Sequence, residues 1–80
     1  MRTWTYRLSM HPLAAARAGC LARITAIFAD RGLSLDRVHA GLIEGQPRID
    51  LGFQADDAAA EAVRRRLLRL PDVRDIVVTE

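Results

Sequence analysis

Apolar and polar residues alternate strictly from Thr3 to Met10 (TWTYRLSM), with Trp4, Tyr6, Leu8 and Met10 on one side and Thr3, Thr5, Arg7 and Ser9 on the other. A period of two, carried by aromatic and threonine side chains, predicts a half-buried strand. His11-Pro12 ends it, because proline has no N–H to give a ladder and restricts the residue before it. Leu13 to Ala18 (LAAARA) is rich in helix-favouring alanine but is bracketed by Pro12 and Gly19. It is assigned as a loop with room for one helical turn.

From Cys20 the period changes. Leu21, Ile24, Thr25 and Phe28 fall at i, i+3, i+4 and i+7, flanked by Cys20 and Ile27, so a helix is expected over Cys20–Arg31. Arg23, Asp30 and Arg31 face out, with Arg31 in the last turn, where a cation suits the helix dipole. Gly32 supplies the left-handed stop. A second strand follows over Leu33–Ile43, and its apolar parity changes between Leu35 and Val38. That change places a bulge near Asp36-Arg37. Glu44 to Pro47 is a turn, and Arg48–Gln54 alternates again with Ile49, Leu51 and Phe53 inward, which makes a hairpin.

Asp56-Asp57 opens a second helix, and either residue can cap it. Its buried stripe is expected to be Ala59, Ala62, Val63, Arg66, Leu67 and Leu70, with Arg66 at the edge, and Pro71 stops it. Asp72–Glu80 is a last strand rich in Val and Ile. The order β-α-β-β-α-β predicts an α+β, ferredoxin-like sandwich: a four-stranded antiparallel sheet with both helices on one face. The other face is then bare. Ile76, Val77 and Val78 make the last strand apolar on both sides, which points to a second chain over that face or an edge.

Length and composition narrow the class. Residues 1–80 suit one small domain, which buries less of its surface than a larger one and is marginal alone. Half the residues are hydrophobic, too many for a disordered chain. Cys20 is the one cysteine, so no internal disulfide forms, and no Cys/His cluster offers a zinc site. A partner chain, hence a homodimer, is the stabilising device left. The net charge of +2 is carried entirely by arginine and is too weak to single out nucleic acid. Arg64-Arg65-Arg66 is expected to be a solvated helix face. No 18-residue apolar run and no signal sequence is present, and a free thiol fits a reducing compartment, so a cytoplasmic protein is expected.

Candidate nucleophiles and bases are Cys20, His11, His39, Ser9 and Ser34. Cys20 at a helix N-terminus is the strongest of them. Its place beside an apolar stripe favours a buried or interface thiol instead. His39 lies on the polar side of strand two, as a surface or dimer-edge histidine. A small ferredoxin-like enzyme using Cys20 or His39 is the remaining catalytic alternative; no catalytic residue, metal or cofactor is assigned. Gly19 lets the backbone bend toward a ligand, and the free N–H groups of Cys20 and Leu21 suit a carboxylate such as that of an amino acid.

These residues carry a resemblance. Gly19-Cys20-Leu21-Ala22-Arg23-Ile24, then Phe28, then Gly32-Leu33-Ser34-Leu35, resembles the ACT domain signature: a Pro-Gly-x-Leu turn, an Arg-Ile/Val pair, a helical Phe, and Gly-x-Asn-Ile into strand two. Leu67-Leu68-Arg69-Leu70-Pro71-Asp72-Val73 is similar to a Leu-x-Lys-Leu-x-Asp-Val run of acetolactate synthase small subunits. The resemblance implies a non-catalytic regulatory subunit in branched-chain amino acid biosynthesis. It would be a homodimer whose partner is a large thiamine-diphosphate-dependent catalytic subunit and whose effector is a branched-chain amino acid. The family's contacts fall on the first turn and on strand two of the neighbouring chain. Carried over, they are Ala16, Gly19, Cys20, Leu21, Ser34 and Leu35. Ala16 stands where the family often has Asp or Asn, Ala18 where it has Pro, and Ser34 where it has Asn. The backbone half of the site is kept and the side-chain half is thinned. The chain looks like the short, single-domain type of small subunit; a free-standing amino-acid-sensing ACT protein is the alternative.

Overall fold

A computed structural model describes residues 1–13 and 19–79. It contains β1 (Arg2–Met10), α1 (Cys20–Asp30), β2 (Leu35–Ile43), β3 (Gln46–Ala55), α2 (Asp57–Leu68) and β4 (Val73–Thr79). The sheet order is β2-β3-β1-β4, with every neighbour pair antiparallel. This is the ferredoxin-like βαββαβ arrangement expected from the element order. The expected loop over Leu13–Ala18 falls largely outside the described residues, as does Glu80.

Each strand presents alternate residues to the helices. Tyr6, Leu8 and Met10 of β1 and Ile49, Leu51, Phe53 and Ala55 of β3 are buried, as their alternation requires. Ile24, Ile27 and Phe28 of α1 and Ala60, Val63 and Leu67 of α2 cover them. Two stripes differ from expectation. Leu21 is exposed, so the buried line of α1 runs through half-buried Cys20 to Ile24, Ile27 and Phe28. In α2 Ala60 is buried and Ala59 lies at the margin. Both helices are rotated by about one residue from the drawn stripe, because the sheet selects the face that meets it.

The ends are set by local chemistry. Gly32 has φ +68°, its N–H donates to the Ala29 carbonyl, and Leu33 N–H donates to the Phe28 carbonyl. That pair of bonds is a Schellman ending for α1. Arg31 caps the helix and is not within its last turn. Asp56 is the cap of α2, accepting from Ala59 N–H at 2.7 Å. α2 stops at Leu68, before Leu70 and Pro71. Leu35 pairs with Phe53 but Arg37 pairs with Gly52, so Asp36 is the bulge that the parity change predicted. The hairpin turn is tighter than expected. Glu44 (φ 52°) and Gly45 (φ 78°) form a two-residue type I′ turn, and Gln46 and Pro47 belong to β3.

Tyr6 crosses the core and donates its hydroxyl hydrogen to the Ala60 carbonyl at 2.6 Å. Burial pushes its pKa up to about 12, helped by Glu61 and opposed by Arg64. The neutral phenol is thus the form the fold holds. Below pH 10 its stabilisation is complete; as pH rises toward 12 the unfolded chain ionises first and stability falls. The chain has no lysine and no second tyrosine. Circular dichroism followed from pH 9 to 12 should therefore show alkaline unfolding that is blunted in Tyr6→Phe, which itself costs about 1 kcal/mol at neutral pH.

The face turned away from the helices is polar. Its central row is His39, Asp50, Arg7 and Val77; beside it run Gly41, Arg48, Ser9 and Asp75. Val77 is its exposed apolar residue on β4, while Ile76 and Val78 pair with Leu8 and Tyr6 and lie on the helix side. Of the exposed apolar residues, Val38, Leu42 and Ile43 lie on the edge strand β2 and Val77 and Val78 on the edge strand β4.

Candidate regulatory groove

Gly19 precedes α1 with φ +80°, a left-handed conformation that residues with a Cβ rarely adopt. Its carbonyl accepts the first helical bond, from Arg23 N–H at 2.9 Å. Gly19 itself has no side chain with which to cap the helix. The amides of Cys20 and Leu21 stand at the start of α1, at the rim of a groove, in the orientation that suits a carboxylate.

The groove has a volume of about 460 Å³ and lies between the start of α1 and the outer strand β2. Cys20 and Leu21 form one wall; Ala40 and Leu42, with Ile49 and Met10 beneath, form the other. It is largely apolar and open to solvent. Leu42 is 67% exposed and Leu21 43%. Ala40 and Leu42 pair with Ile49 and Pro47, so they point to the same side as the core, yet both are exposed.

The structure thus brings together three of the expected contact residues, Gly19, Cys20 and Leu21. Ser34 and Leu35 stand at the opposite end of β2, where Leu35 pairs with Phe53, away from the groove of their own chain. Ala16 lies outside the described residues. Ala40, Leu42, Ile49 and Met10 were missed as lining. Their alternation is plain in the sequence, but it marks a face without saying which part of it the helices leave bare.

A second missed feature braces the turn. Arg23 was drawn facing solvent; its guanidinium instead meets Asp72 at 2.9 Å. Asp72 is the one buried charged residue among those described, with its side chain 3% exposed against 47% for Arg23. The Asp72 carbonyl also accepts from His11 N–H at 2.7 Å. One residue after α2 so ties the end of β1 to the start of α1. Arg23 Nη1 would lie 3.4 Å from a Cβ at Gly19, so the same side chain lies alongside the turn.

The candidate catalytic side chains are dispersed. Cys20 is on the helix side of the sheet and His39 on the opposite face. His11 Nδ1 accepts from Leu13 N–H at 3.1 Å, a local turn contact. Among the described residues no three His, Cys, Asp or Glu side chains converge as a metal site, and no helix is long and apolar enough to cross a membrane.

The architecture is that of ACT domains. It superposes on the acetolactate synthase small subunit of Thermotoga maritima with a TM-score of 0.79 and 18% identity, over 100% of this chain and 48% of that one. A homoserine dehydrogenase from Thiobacillus denitrificans matches with a TM-score of 0.76 and 24% identity, over 95% of this chain but 16% of the dehydrogenase. The ACT domain of GTP pyrophosphokinase from Chlorobium tepidum matches at 0.73 and 12%, over 96% of both chains. The chain thus spans about half of the small subunit and about a sixth of the dehydrogenase. No family model and no curated protein matches the sequence. At these identities the likeness establishes the fold.

Proposed function

We propose that this chain is a non-catalytic ACT regulatory subunit, the small subunit of an acetolactate synthase. The groove carries the reading. It sets the helix-start amides of α1 beside an exposed apolar wall, which is the shape a zwitterionic, apolar amino acid fits once a second copy closes it. The superposition of the whole chain on about half of a small subunit supports the choice of enzyme. The effector is then a branched-chain amino acid. Its carboxylate sits at Gly19, Cys20 and Leu21, and its side chain lies against Leu42 and Ile49, with Ser34 and Leu35 supplied by the neighbouring chain. Binding would act by favouring one conformation of the larger, thiamine-diphosphate-dependent subunit.

Mixing the chain with a large subunit and following acetolactate formation is the test. A rise in rate, and inhibition on adding valine, are expected; no change in either overturns the assignment. Calorimetry with valine, leucine and isoleucine on the chain alone separates a free-standing amino-acid sensor from a subunit. Heat of binding without any effect on the synthase would favour the sensor. Leu21→Asp, which places a charge at the carboxylate end of the groove, should weaken such binding at least about tenfold.

A further inference from the structure

Two groups of arginines differ in what holds them. The run in α2 that looks most basic in sequence is largely spent on neighbours: Arg64 and Arg65 lie 2.7 and 3.6 Å from Glu61, and Arg66 lies 3.1 Å from Asp30. The arginines of the polar sheet face are scattered through the sequence, and the fold gathers them. Arg7 and Arg48 share one carboxylate, Asp50, at 3.6 and 3.3 Å. Asp50 Oδ1 is buried and has no hydrogen bond among the described residues. Arg74 and Arg37 have no ion-pair partner among the described residues. Arg37 packs across Gly52, where a Cβ would meet its own Cβ at 3.2 Å, so the missing side chain keeps this arginine on the face.

Arg7, Arg48 and Arg74 line a shallow hollow of about 560 Å³ with Ser9 and Asp75. Over the whole of this face, among the described residues, Arg7, Arg37, Arg48 and Arg74 stand with Asp50 and Asp75, an excess of two positive charges. We propose that this sheet face docks an acidic protein surface, its guanidinium groups pairing with partner carboxylates. A second copy is disfavoured, since stacking the face on itself sets like charges together. A nucleic acid is disfavoured because Trp4, Tyr6 and Phe53 alternate to the helix side and Phe28 lies in α1, which leaves His39 as the one ring on this face for a base to stack on. Guanidinium groups held loosely by one shared acid can re-pair with incoming carboxylates, which gives orientation and speed to docking. The proposal concerns a different face from the groove and does not depend on the identity of the enzyme.

The probe is a ten-residue peptide of alternating Glu and Asp, titrated into the labelled chain and followed by amide NMR at low and physiological salt. Shifts are expected at Arg7, Ser9, Arg48 and Arg74 and should shrink as salt rises. Arg48→Glu with Arg74→Glu should weaken the peptide at least about tenfold with the rest of the spectrum unchanged. Arg64→Glu with Arg65→Glu is the matched control and should have little effect. Shifts centred on α2, no shifts at all, or an equally charged oligonucleotide binding this face more tightly than the peptide would each overturn the proposal. If the peptide maps here and no synthase responds, the assignment of the enzyme fails and the docking face stands.

Discussion

Phe53→Ala is expected to cost about 3–5 kcal/mol, the range for an aromatic lost from a core. Phe53 is fully buried, and its ring meets Tyr6 and Phe28 edge-on with both centroids at 4.9 Å. It thus joins β1, β3 and α1, and such pairs add to the area they bury. An 80-residue domain has roughly 4–12 kcal/mol in all, so this one truncation removes a large share. Leu42→Ala, at the bare end of β2, is the comparison and should stay within about 0.5 kcal/mol. Urea unfolding followed by circular dichroism and Trp4 fluorescence measures both. A cost below about 1 kcal/mol for Phe53→Ala would contradict the packing described.

Much of this core was legible in the sequence because a two-residue period leaves little freedom. Once Tyr6 and Leu8 face inward, Ile49, Leu51 and Phe53 must do so too, and the parity change at Asp36 follows from the same rule. Helix faces were less legible. A 3.6-residue period tolerates a shift of one position, so Leu21 and Ala59 were exchanged with Ile27 and Ala60 at the centre of the buried stripe. The site was read in part. Gly19 stands out because a helix start preceded by glycine has few other causes. The bare wall at Ala40 and Leu42 did not, since strand alternation gives the side of the sheet and not the reach of the helices over it. The basic sheet face was hidden for a different reason: Arg7, Arg37, Arg48 and Arg74 are adjacent only through strand pairing, whereas Arg64-Arg65-Arg66 is adjacent in sequence and is spent on Glu61 and Asp30.

Arg23→Ala should be costlier than Asp72→Asn, although the two remove the same ion pair. The residues are 49 apart in sequence, so no local pattern announces them. The difference lies in what each change leaves behind. Without Arg23, a carboxylate whose side chain is 3% exposed loses the guanidinium at 2.9 Å, and burial keeps water from taking its place. Without the Asp72 charge, the half-exposed Arg23 turns to water, and asparagine keeps an oxygen in place. Breaking a fully buried pair costs about 3–5 kcal/mol; the exposure of Arg23 screens this one, so about 2 kcal/mol is expected for Arg23→Ala and about 1 for Asp72→Asn. The double variant should resemble Asp72→Asn alone, because the charge that made Arg23→Ala harmful is already gone. Denaturant unfolding of the four chains measures the coupling, and simple additivity would show that the two side chains do not act together. The same pair borders the groove, since Arg23 lies alongside Gly19 and Asp72 anchors His11. Arg23→Ala should therefore loosen the turn before α1, and amide hydrogen exchange at position 23, whose N–H bonds the Gly19 carbonyl at 2.9 Å, should rise by more than the global loss of stability accounts for.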